Sequence, residues 1–377
     1  MKIDIREVKS KADRRLFIKL PARIHADHSN WVPPIYMDDR QYFNPAKNKS
    51  FKYCDAILFL AIRDGKVDGR IMGIINHRYN ELHNENHARF SFMECWNAPE
   101  VANALLEAVR QWAGKKGMDK LVGPLGFSDK DPQGFLVYGF DAPMVIATNC
   151  NFPYMVDLVQ ENGFSKKVDL VVYKVDIPDE IPELYRNIYQ RFMERNNVTI
   201  EEPTRKKHLK SLIRPVLSLL NDTFTEVYGF DQMEGKEMDE FAARYIPILD
   251  PKFVKVVKNS KLEVVGFIIG MPDVSKGIVK ARGRLFPFGI FQIIRAGKKT
   301  KQLNLLLGAI REDFRGIGLD AALAVKIIET ATRSRMEYID SHLELEDNTK
   351  VRSEMERFGG KVYKRYRIFE KDIRAES

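Results

Sequence analysis

Residues 303–323 read LNLLLGAIREDFRGIGLDAAL, and this stretch decides the fold. The apolar run 303–310 predicts a buried strand, and the alanine- and leucine-rich residues from Leu319 onward predict a helix. Between them lies a turn that contains Gly316 and Gly318. Glycines let a backbone come close to a ligand, and the free N–H groups at the start of a helix attract phosphate oxygens. The stretch therefore predicts a pyrophosphate site.

Two common phosphate-binding motifs do not fit this turn. A Walker loop closes with Lys-Ser or Lys-Thr, and a dinucleotide-binding loop needs three glycines at fixed offsets with an acidic residue about 20 positions on. Neither spacing occurs at residues 311–320. The turn instead carries the pattern Arg315-x-x-Gly318-x-Asp320.

The segments after the turn narrow the interpretation. Residues 338–346 predict a strand, Asn348 a helix start, Gly359 a helix end and residues 361–369 a last strand. In this order, the Arg315 pattern and the segment from Asn348 to Gly359 resemble the two motifs of the GCN5-related N-acetyltransferase (GNAT) superfamily. The resemblance implies an α/β fold with a mixed, mainly antiparallel sheet flanked by helices. It also implies acetyl-CoA or a longer acyl-CoA as co-substrate.

The resemblance further implies which residues hold the acyl-CoA. In the superfamily, the backbone of the strand before the loop pairs with the pantetheine arm and polarises the thioester, and the loop holds the pyrophosphate. Asp320 stands where the motif has Gly or Ala, so we expect its carboxylate to point away from the phosphates or to cap the helix. The residues expected to bind CoA are Gly308, Ala309, Ile310, Arg315, Gly316, Ile317, Gly318, Leu319, Asp320 and Asn348.

The first half of the chain repeats the same order of elements. Its predicted segments are a strand at 3–8, a hairpin at 56–76, a strand at 88–96, a helix at 100–114, a strand at 120–126, a helix at 153–162 and a strand at 168–175. We therefore expect two tandem GNAT-like domains, residues 1–177 and residues 178–377. The first copy has CWNAPE at residues 95–100 in place of the glycine turn, so we expect it to be degenerate for CoA. Several of its loops resemble those of bacterial tandem proteins of this kind.

Candidate catalytic residues lie on the predicted strand 338–346. Alternation with period two would place Asp340, His342, Glu344 and Glu346 on one face. That face is either an exposed, solvated face of the sheet or the wall of a polar cleft. In the cleft interpretation, His342 or Glu344 is the candidate base that receives a proton from the amine.

The residue that protonates the leaving thiolate is less evident. GNAT proteins usually carry a Tyr seven residues after the motif Asn, and here that position is Met355. The nearest candidates by sequence are Tyr363 and Tyr366 on the last strand. The alternatives are protonation of the thiolate by water, or a domain that binds acyl-CoA without turning it over.

An insertion bears on the acceptor or the acyl group. Residues 282–295 read RGRLFPFGIFQIIR, and Lys298, Lys299 and Lys301 follow. Clustered aromatics flanked by cations suit a surface that meets lipid. They also suit a flap over the core or the seam between the two domains.

Composition limits the partners. The formal charge of +9 favours anionic partners such as CoA phosphates or an anionic membrane surface, and no nucleic-acid-binding motif accompanies it. Cys54, Cys95 and Cys150 are odd in number and far apart, which predicts reduced thiols and no metal site. No apolar run reaches the length of a membrane span. We expect a cytoplasmic protein with peripheral contact at the inner membrane face and no nucleic-acid partner.

Two functions follow from these observations. The first is a CoA-dependent N-acyltransferase that transfers an acetyl or longer acyl group to an amine bound between the two domains, with a lipid amine such as a sphingoid base left open. The second is a non-catalytic acyl-CoA or lipid sensor that keeps the fold. The missing Tyr favours the sensor, whereas the Arg315 pattern and the polar strand favour the enzyme.

Overall fold

The computed structural model describes residues 2–146, 148–225 and 227–374. Its strands are β1 (Ile3–Glu7), β2 (Cys54–Arg63), β3 (Lys66–Asn76), β4 (His87–Cys95), β5 (Lys120–Gly123), β6 (Phe135–Tyr138), β7 (Ser165–Asp176), β8 (Val198–Glu201), β9 (Val254–Asn259), β10 (Val264–Pro272), β11 (Gln302–Ile310), β12 (Tyr338–Asp340), β13 (Glu344–Leu345) and β14 (Lys361–Asp372).

The helices connect these strands and cover the sheet. They are α1 (Lys11–Lys19), α2 (Pro21–Ile24), α3 (Tyr36–Tyr42), α4 (His77–His83), α5 (Pro99–Lys115), α6 (Tyr154–Glu161), α7 (Glu183–Arg195), α8 (Lys206–Thr223), α9 (Gly235–Tyr245), α10 (Ser275–Lys280), α11 (Gly289–Lys299), α12 (Leu319–Arg333) and α13 (Thr349–Arg357). Short 3-10 helices occupy Lys49–Lys52, Pro251–Phe253 and Glu312–Phe314.

The strands of the described residues form one continuous mixed sheet. The order is β1-β2-β3-β4-β5-β14-β7-β12-β11-β10-β9-β8, with β6 beside β14 and β13 beside β7. Only the pairs β4/β5 and β11/β12 are parallel among the described strands. The predicted mixed α/β fold with a mainly antiparallel sheet is confirmed.

The strand order repeats from both edges toward the centre. β1 to β5 of the first half match β8 to β12 of the second, and the parallel pair occupies the same place in each half. At the centre, β14 lies between β5 and β7, and β7 lies between β14 and β12. Each half of the sheet is therefore completed by the last strand of the other half.

Helices α5 and α12 cover equivalent parts of the two halves. α5 buries an apolar stripe that includes Val101, Leu105 and Val109. Its close approach to the sheet depends on Gly69, because a Cβ there would lie 2.8 Å from Leu105 Cδ1. α12 buries Leu319, Leu323 and Ile327 in the same way. Across the part of the chain that the structure describes, no helix is both long and apolar enough to cross a membrane.

Candidate active site

The two parallel strands of the second half diverge to form a fork. β11 and β12 pair over three residue pairs only, the last of which joins Asn304 to Asp340. β11 continues to Ile310 and stays paired with β10 on its other side. From Leu305 to Ile310, the edge that faces away from β10 therefore has no strand partner among the described residues. Such an open edge can bind an extended ligand through its backbone.

A β-bulge interrupts β11 inside the fork. Leu307 lies opposite Ile269 and Leu305 lies opposite Gly270, so Leu306 has no partner residue on β10. A bulge changes the direction of backbone groups and often occurs beside active sites. The expected backbone positions Gly308, Ala309 and Ile310 follow on the same strand. Sequence reasoning missed Leu306, because nothing in a run of three leucines distinguishes the bulged one.

The glycine turn leads from the fork to helix α12. Gly316 and Gly318 have φ values of 73° and 101°, a region that favours glycine. α12 begins at Leu319, and no side chain of the described residues caps its first turn. The predicted strand, glycine turn and helix start are confirmed. The N–H groups of the first turn are thus free of side-chain partners and can receive an anion.

Arg315 is the cation that this turn presents to solvent. Its side chain is exposed, and its Nε donates to Ile310 O at 3.1 Å. Neighbouring Arg311 is already paired with Asp313 and Glu263. Within the described residues no carboxylate pairs with Arg315, so its guanidinium is available for a phosphate.

Asp320 and Asn348 differ in whether their side chains cap the helices at whose starts they lie, α12 and α13. Asn348 begins α13 as predicted, because its side chain accepts a hydrogen bond from Val351 N. The Asp320 side chain does not cap α12, so of the two alternatives expected for its carboxylate only the one that points it away from the phosphates is left. The pKa of Glu354 on α13 is raised by two effects: burial is the larger, and the negative charge of Asp320 is the second. Asp320 therefore acts across the space between α12 and α13, and the CoA-binding roles of both residues remain predictions.

The predicted strand 338–346 is wrong in its middle. The chain leaves β12 after Asp340, passes through His342 with a φ of 62°, and resumes pairing at Glu344. The cause is local, because Asp340 Oδ1 accepts the His342 N–H at 2.8 Å and draws the backbone into a turn. The expected alternation is lost at this turn.

The same residues form a buried polar cluster at the base of the fork. Asp340 and Lys364 are both fully buried, and Lys364 Nζ lies 3.3 Å from Asp340 Oδ2. The Tyr363 hydroxyl donates to the same oxygen, and Lys364 also donates to Pro143 O at 3.0 Å. An exposed face with solvated charges is therefore wrong for this segment, since Asp340 lies in the interior and His342 and Glu344 are half-buried.

His342 is held in one tautomer by the first half of the chain. Its Nε2 lies 3.4 Å from Ile146 O, and a carbonyl oxygen can only accept, so we assign the proton to Nε2. The lone pair then lies on Nδ1. Burial lowers the pKa of His342, which keeps the imidazole neutral near pH 7.

Glu344 is shifted in the opposite sense. Burial alone raises the pKa of its carboxyl from the ordinary value of 4.5 to about 8. The carboxyl is therefore mostly protonated at neutral pH. Two groups two residues apart thus have pKa values moved in opposite directions, which is a pattern found at acid–base sites.

Tyr363 lies where the cluster meets solvent. Burial, followed by the Asp340 charge, raises the pKa of Tyr363 far above its usual range, and burial also raises that of Tyr366. An open cleft of about 720 Å³ reaches Tyr363 from outside. Its walls come from both halves and include Tyr138, Phe140, Lys174 and Val362.

The equivalent fork of the first half is closed. Its last parallel pair joins Arg89 to Val122, and the Arg89 side chain is buried and donates to Gly126 O and Phe127 O at 3.1 and 2.9 Å. Beyond that pair, Leu125 N donates to Phe90 O at 2.9 Å. The backbone edge that is open in β11 is therefore used internally in β4.

One sheet built from two matched halves, with a forked parallel pair in each, is the fold of tandem GCN5-related N-acetyltransferases. Over 100% of both chains the structure is similar to a tandem GNAT protein from the clavulanic acid biosynthesis pathway, with a TM-score of 0.57 and 11% identity. It is similar over 99% of this chain and 96% of the other to a GCN5-related N-acetyltransferase from Sphaerobacter thermophilus, with a TM-score of 0.54 and 12% identity.

By sequence, the chain is similar to a named bacterial protein. It is 27% identical over 375 residues to the bacterial ceramide synthase of Caulobacter vibrioides (strain NA1000 / CB15N). The aligned region covers 97% of this chain and 96% of that protein. No family model matches the chain. The GNAT fold expected from the two motifs and the tandem organisation expected from the repeated order of elements are confirmed.

Proposed function

We propose that this chain is an acyl-CoA-dependent N-acyltransferase whose second half holds the acyl-CoA and whose amine acceptor lies where the two halves meet. The observation that carries the proposal is the β11/β12 fork. Its open backbone edge leads at one end to the uncapped first turn of α12 and at the other to the fully buried Asp340 and the half-buried His342 and Glu344. A pantetheine arm is an extended amide chain with a phosphate at one end and a thioester at the other. This matches a fork with a phosphate-binding helix start at one end and acid–base groups at the other.

The two ends of the fork supply different interactions. The pyrophosphate binds the first N–H groups of α12 and the Arg315 guanidinium. The pantetheine arm pairs with the edge of β11 between Leu306 and Ile310. Backbone N–H groups near the bulge then stabilise the negative charge that develops on the thioester oxygen.

The transfer itself requires one base and one acid. The amine nitrogen attacks the thioester carbon, the C–N bond forms, and the C–S bond breaks. His342 Nδ1 takes the proton that the amine loses, and the Glu344 carboxyl gives its proton to the CoA thiolate. This assignment fits the opposite pKa shifts of the two groups and supplies an acid where Met355 replaces the usual Tyr. Tyr363, expected as a candidate acid, instead positions Asp340 in this mechanism.

The acceptor we favour is a long-chain amine, delivered from a membrane surface. Three aromatic rings of the insertion are exposed, Phe286 and Phe288 by 70% and Phe291 by 67%, and basic residues flank them. The similar Caulobacter protein is named a ceramide synthase, and a ceramide is the N-acyl derivative of a sphingoid base. A lipid amine and a long acyl chain therefore suit both the surface and the relative.

The second candidate function is a non-catalytic acyl-CoA or lipid sensor. It is favoured by Met355, which leaves the usual acid position without a proton donor. A sensor would bind acyl-CoA in the same fork but would release no thiol.

Calorimetry and a thiol-release assay test these functions together. We expect the protein to bind CoA, and Gly318→Trp to abolish binding, because a Cβ at Gly318 already lies 3.0 Å from Ile188 Cγ2 and its φ is 101°. Gly65→Trp is the control, since Gly65 also has a positive φ but has no atoms around its Cβ position. We expect thiol release from long-chain acyl-CoA with a sphingoid base. Tight CoA binding without release across a broad amine panel supports the sensor, and no CoA binding contradicts both functions.

A further inference from the structure

Three potential metal ligands converge in the first half of the chain, outside the acyl-CoA site. His25 follows helix α2, His28 lies three residues on, and Cys150 lies in the loop before α6. The two Nδ1 atoms are 3.0 Å apart, and Cys150 Sγ is 3.8 Å from His28 Nδ1. One ligand atom from each of the three residues lies within 4.8 Å of the other two.

These distances fit the ligand shell of a tetrahedral ion. With Zn–N near 2.0 to 2.1 Å and Zn–S near 2.3 Å, tetrahedral angles place two nitrogens about 3.3 Å apart and nitrogen and sulfur about 3.6 Å apart. The two separations that involve His28, from its Nδ1 to His25 Nδ1 and to Cys150 Sγ, differ from these values by a few tenths of an ångström. Small side-chain rotations would complete the geometry.

The surroundings of His25 are those of a metal-bound imidazole. Its side chain is 98% buried, and Nε2, on the far side of the ring from the cluster, lies 3.7 Å from Glu94 Oε2. Arg70 Nη2 holds the other oxygen of Glu94 at 2.9 Å. Within the described residues, His25 Nε2 and Glu94 Oε2 have no hydrogen-bond partner. A carboxylate behind a ligating histidine orients the ring and raises its basicity.

Aromatic rings fix the orientation of both imidazoles. Trp31 and Phe152 stack on His25 with centroid distances of 5.3 and 5.1 Å, and Phe152 stacks on His28 at 4.4 Å. Rings held on their faces can rotate little, so their Nδ1 atoms stay directed at each other. Two nitrogen lone pairs directed at one point repel unless a proton or a metal ion lies between them.

A thiol–imidazole nucleophile is a weaker interpretation of the same residues. Burial raises the pKa of the Cys150 thiol to about 12, so it is not an activated thiolate at neutral pH. A bound divalent cation deprotonates a coordinating thiol directly, and one proton then leaves to solvent for each ion bound.

We propose that His25, His28 and Cys150 bind one divalent transition-metal ion of the zinc type, with the fourth position open to water or another ligand. The ion would tie the segment after α2 to the loop that precedes α6. That loop also reaches the candidate active site, because Pro143 O and Ile146 O contact Lys364 and His342. The site departs from the sequence expectation of no metal, which rested on the distance between cysteines along the chain. It does not depend on the proposed acyltransferase function.

Cobalt spectroscopy on the chelator-treated full chain tests the site. We expect Co²⁺ to bind in a 1:1 ratio, with the near-ultraviolet charge-transfer band of a thiolate ligand and the visible bands of tetrahedral cobalt, and Zn²⁺ to remove both. Cys150→Ser should abolish the charge-transfer band, and His28→Ala should weaken binding at least tenfold. Cys54→Ser is the control and should leave the spectrum unchanged.

A proton-release measurement and circular dichroism complete the experiment. Binding of Zn²⁺ near pH 7 should release about one proton from the wild type and none from Cys150→Ser. If Cys150→Ser does not fold, His28→Gln with an intact far-ultraviolet spectrum takes its place, and an unchanged Co²⁺ affinity of that variant then overturns the proposal. A wild-type protein without the charge-transfer band, or a band that survives in both Cys150→Ser and His28→Gln, overturns the proposal.

Discussion

Three donors converge on the carboxylate of Asp340: the Tyr363 hydroxyl, the Lys364 ammonium and the His342 backbone N–H. A fully buried ion pair pays a desolvation penalty, and removal of one partner typically destabilises a protein by about 3 to 5 kcal/mol. The Asp340–Lys364 pair is therefore better explained by the way it positions neighbouring groups than by a contribution to the stability of the protein. The Asp340 carboxylate fixes the turn at His342 that separates β12 from β13.

Glu344→Gln should change the pH dependence of stability. The folded-state pKa of Glu344 is raised to about 8, so its protonated form stabilises the fold, and that stability is lost as pH rises from about 4.5 to 8. The slope is at most about 1.4 kcal/mol per pH unit. Urea unfolding at several pH values should therefore show Glu344→Gln more stable than wild type at pH 8, with the difference shrinking toward pH 5.

Glu346→Gln is the matched control for this measurement. Hydrogen bonds and charges from Lys166 and Arg365 lower the pKa of Glu346, so its contribution is present at neutral pH and lost as pH falls. The control variant should therefore be less stable than wild type at pH 7 and approach it in acid. Equal pH profiles for wild type and Glu344→Gln would contradict a buried, protonated Glu344.

At the scale of elements, helix α11 is amphipathic in an unusual sense. It buries Gly289 and Ile293 against the protein, where a Cβ at Gly277 of α10 would lie 2.6 Å from Ile293 Cα. Its exposed side carries Phe291 and Ile294 next to the cations Arg295, Lys298 and Lys299, and Phe286 and Phe288 extend the apolar surface. The seam interpretation holds for the start of the insertion, where Gly283 O accepts from Tyr36 N at 3.0 Å and Leu285 packs against the same apolar cluster as Val32 and Ile35 of the first half. It does not hold for the rings of Phe286, Phe288 and Phe291, which are exposed.

Phe286→Ser combined with Phe288→Ser should weaken binding to anionic vesicles. Burial of one such ring contributes about 1.5 to 3 kcal/mol, so each substitution should reduce the partition coefficient about tenfold or more. Co-sedimentation with vesicles of phosphatidylcholine and phosphatidylglycerol measures the effect, and added salt should reduce binding further. Leu184→Ser is the control, because Leu184 is exposed but lies on α7. Equal partition of wild type and the double variant would contradict a lipid-binding surface.

Sequence predicted the elements whose signals are local. β11, the turn at Gly316 and Gly318, and the Asn348 cap could be read directly because each depends on neighbouring residues. The break at His342 could not, since it depends on which hydrogen bond the Asp340 carboxylate makes. The approach of Cys150 to His28 could not either, because 122 residues separate them and only the tertiary fold joins them.

At the scale of the whole molecule, the central strands bind the two halves into one unit. β14 contributes Tyr366, Ile368 and Phe369 to the core, and all three are fully buried. Because β14 pairs with β5 and β7, the first half lacks its central strand without the second. The division at residue 177 expected from the repeat separates the chain in sequence but not the sheet in space.

Residues 1–177 expressed alone should therefore fail to form a stable monomer. The open edges of β5 and β7 would expose backbone donors and apolar side chains, which favours aggregation. Size-exclusion chromatography and thermal unfolding should show soluble, cooperative behaviour when residues 178–377 are co-expressed. A chain of residues 1–177 joined by a flexible linker to residues 361–374 is the matched control and should recover solubility in part. A cooperative monomer of residues 1–177 alone would argue against the need for β14.

The pairing of β14 with β5 also means that the sheet of the first half cannot be completed until the end of the chain has been synthesised. Lys120 at the start of β5 contacts Glu370, a residue made 250 positions later. At about 5 to 20 residues per second, the ribosome needs roughly 10 to 50 s to produce that partner. During this interval the edges of β5 and β7 that β14 later covers are open, and open strand edges favour pairing with other chains.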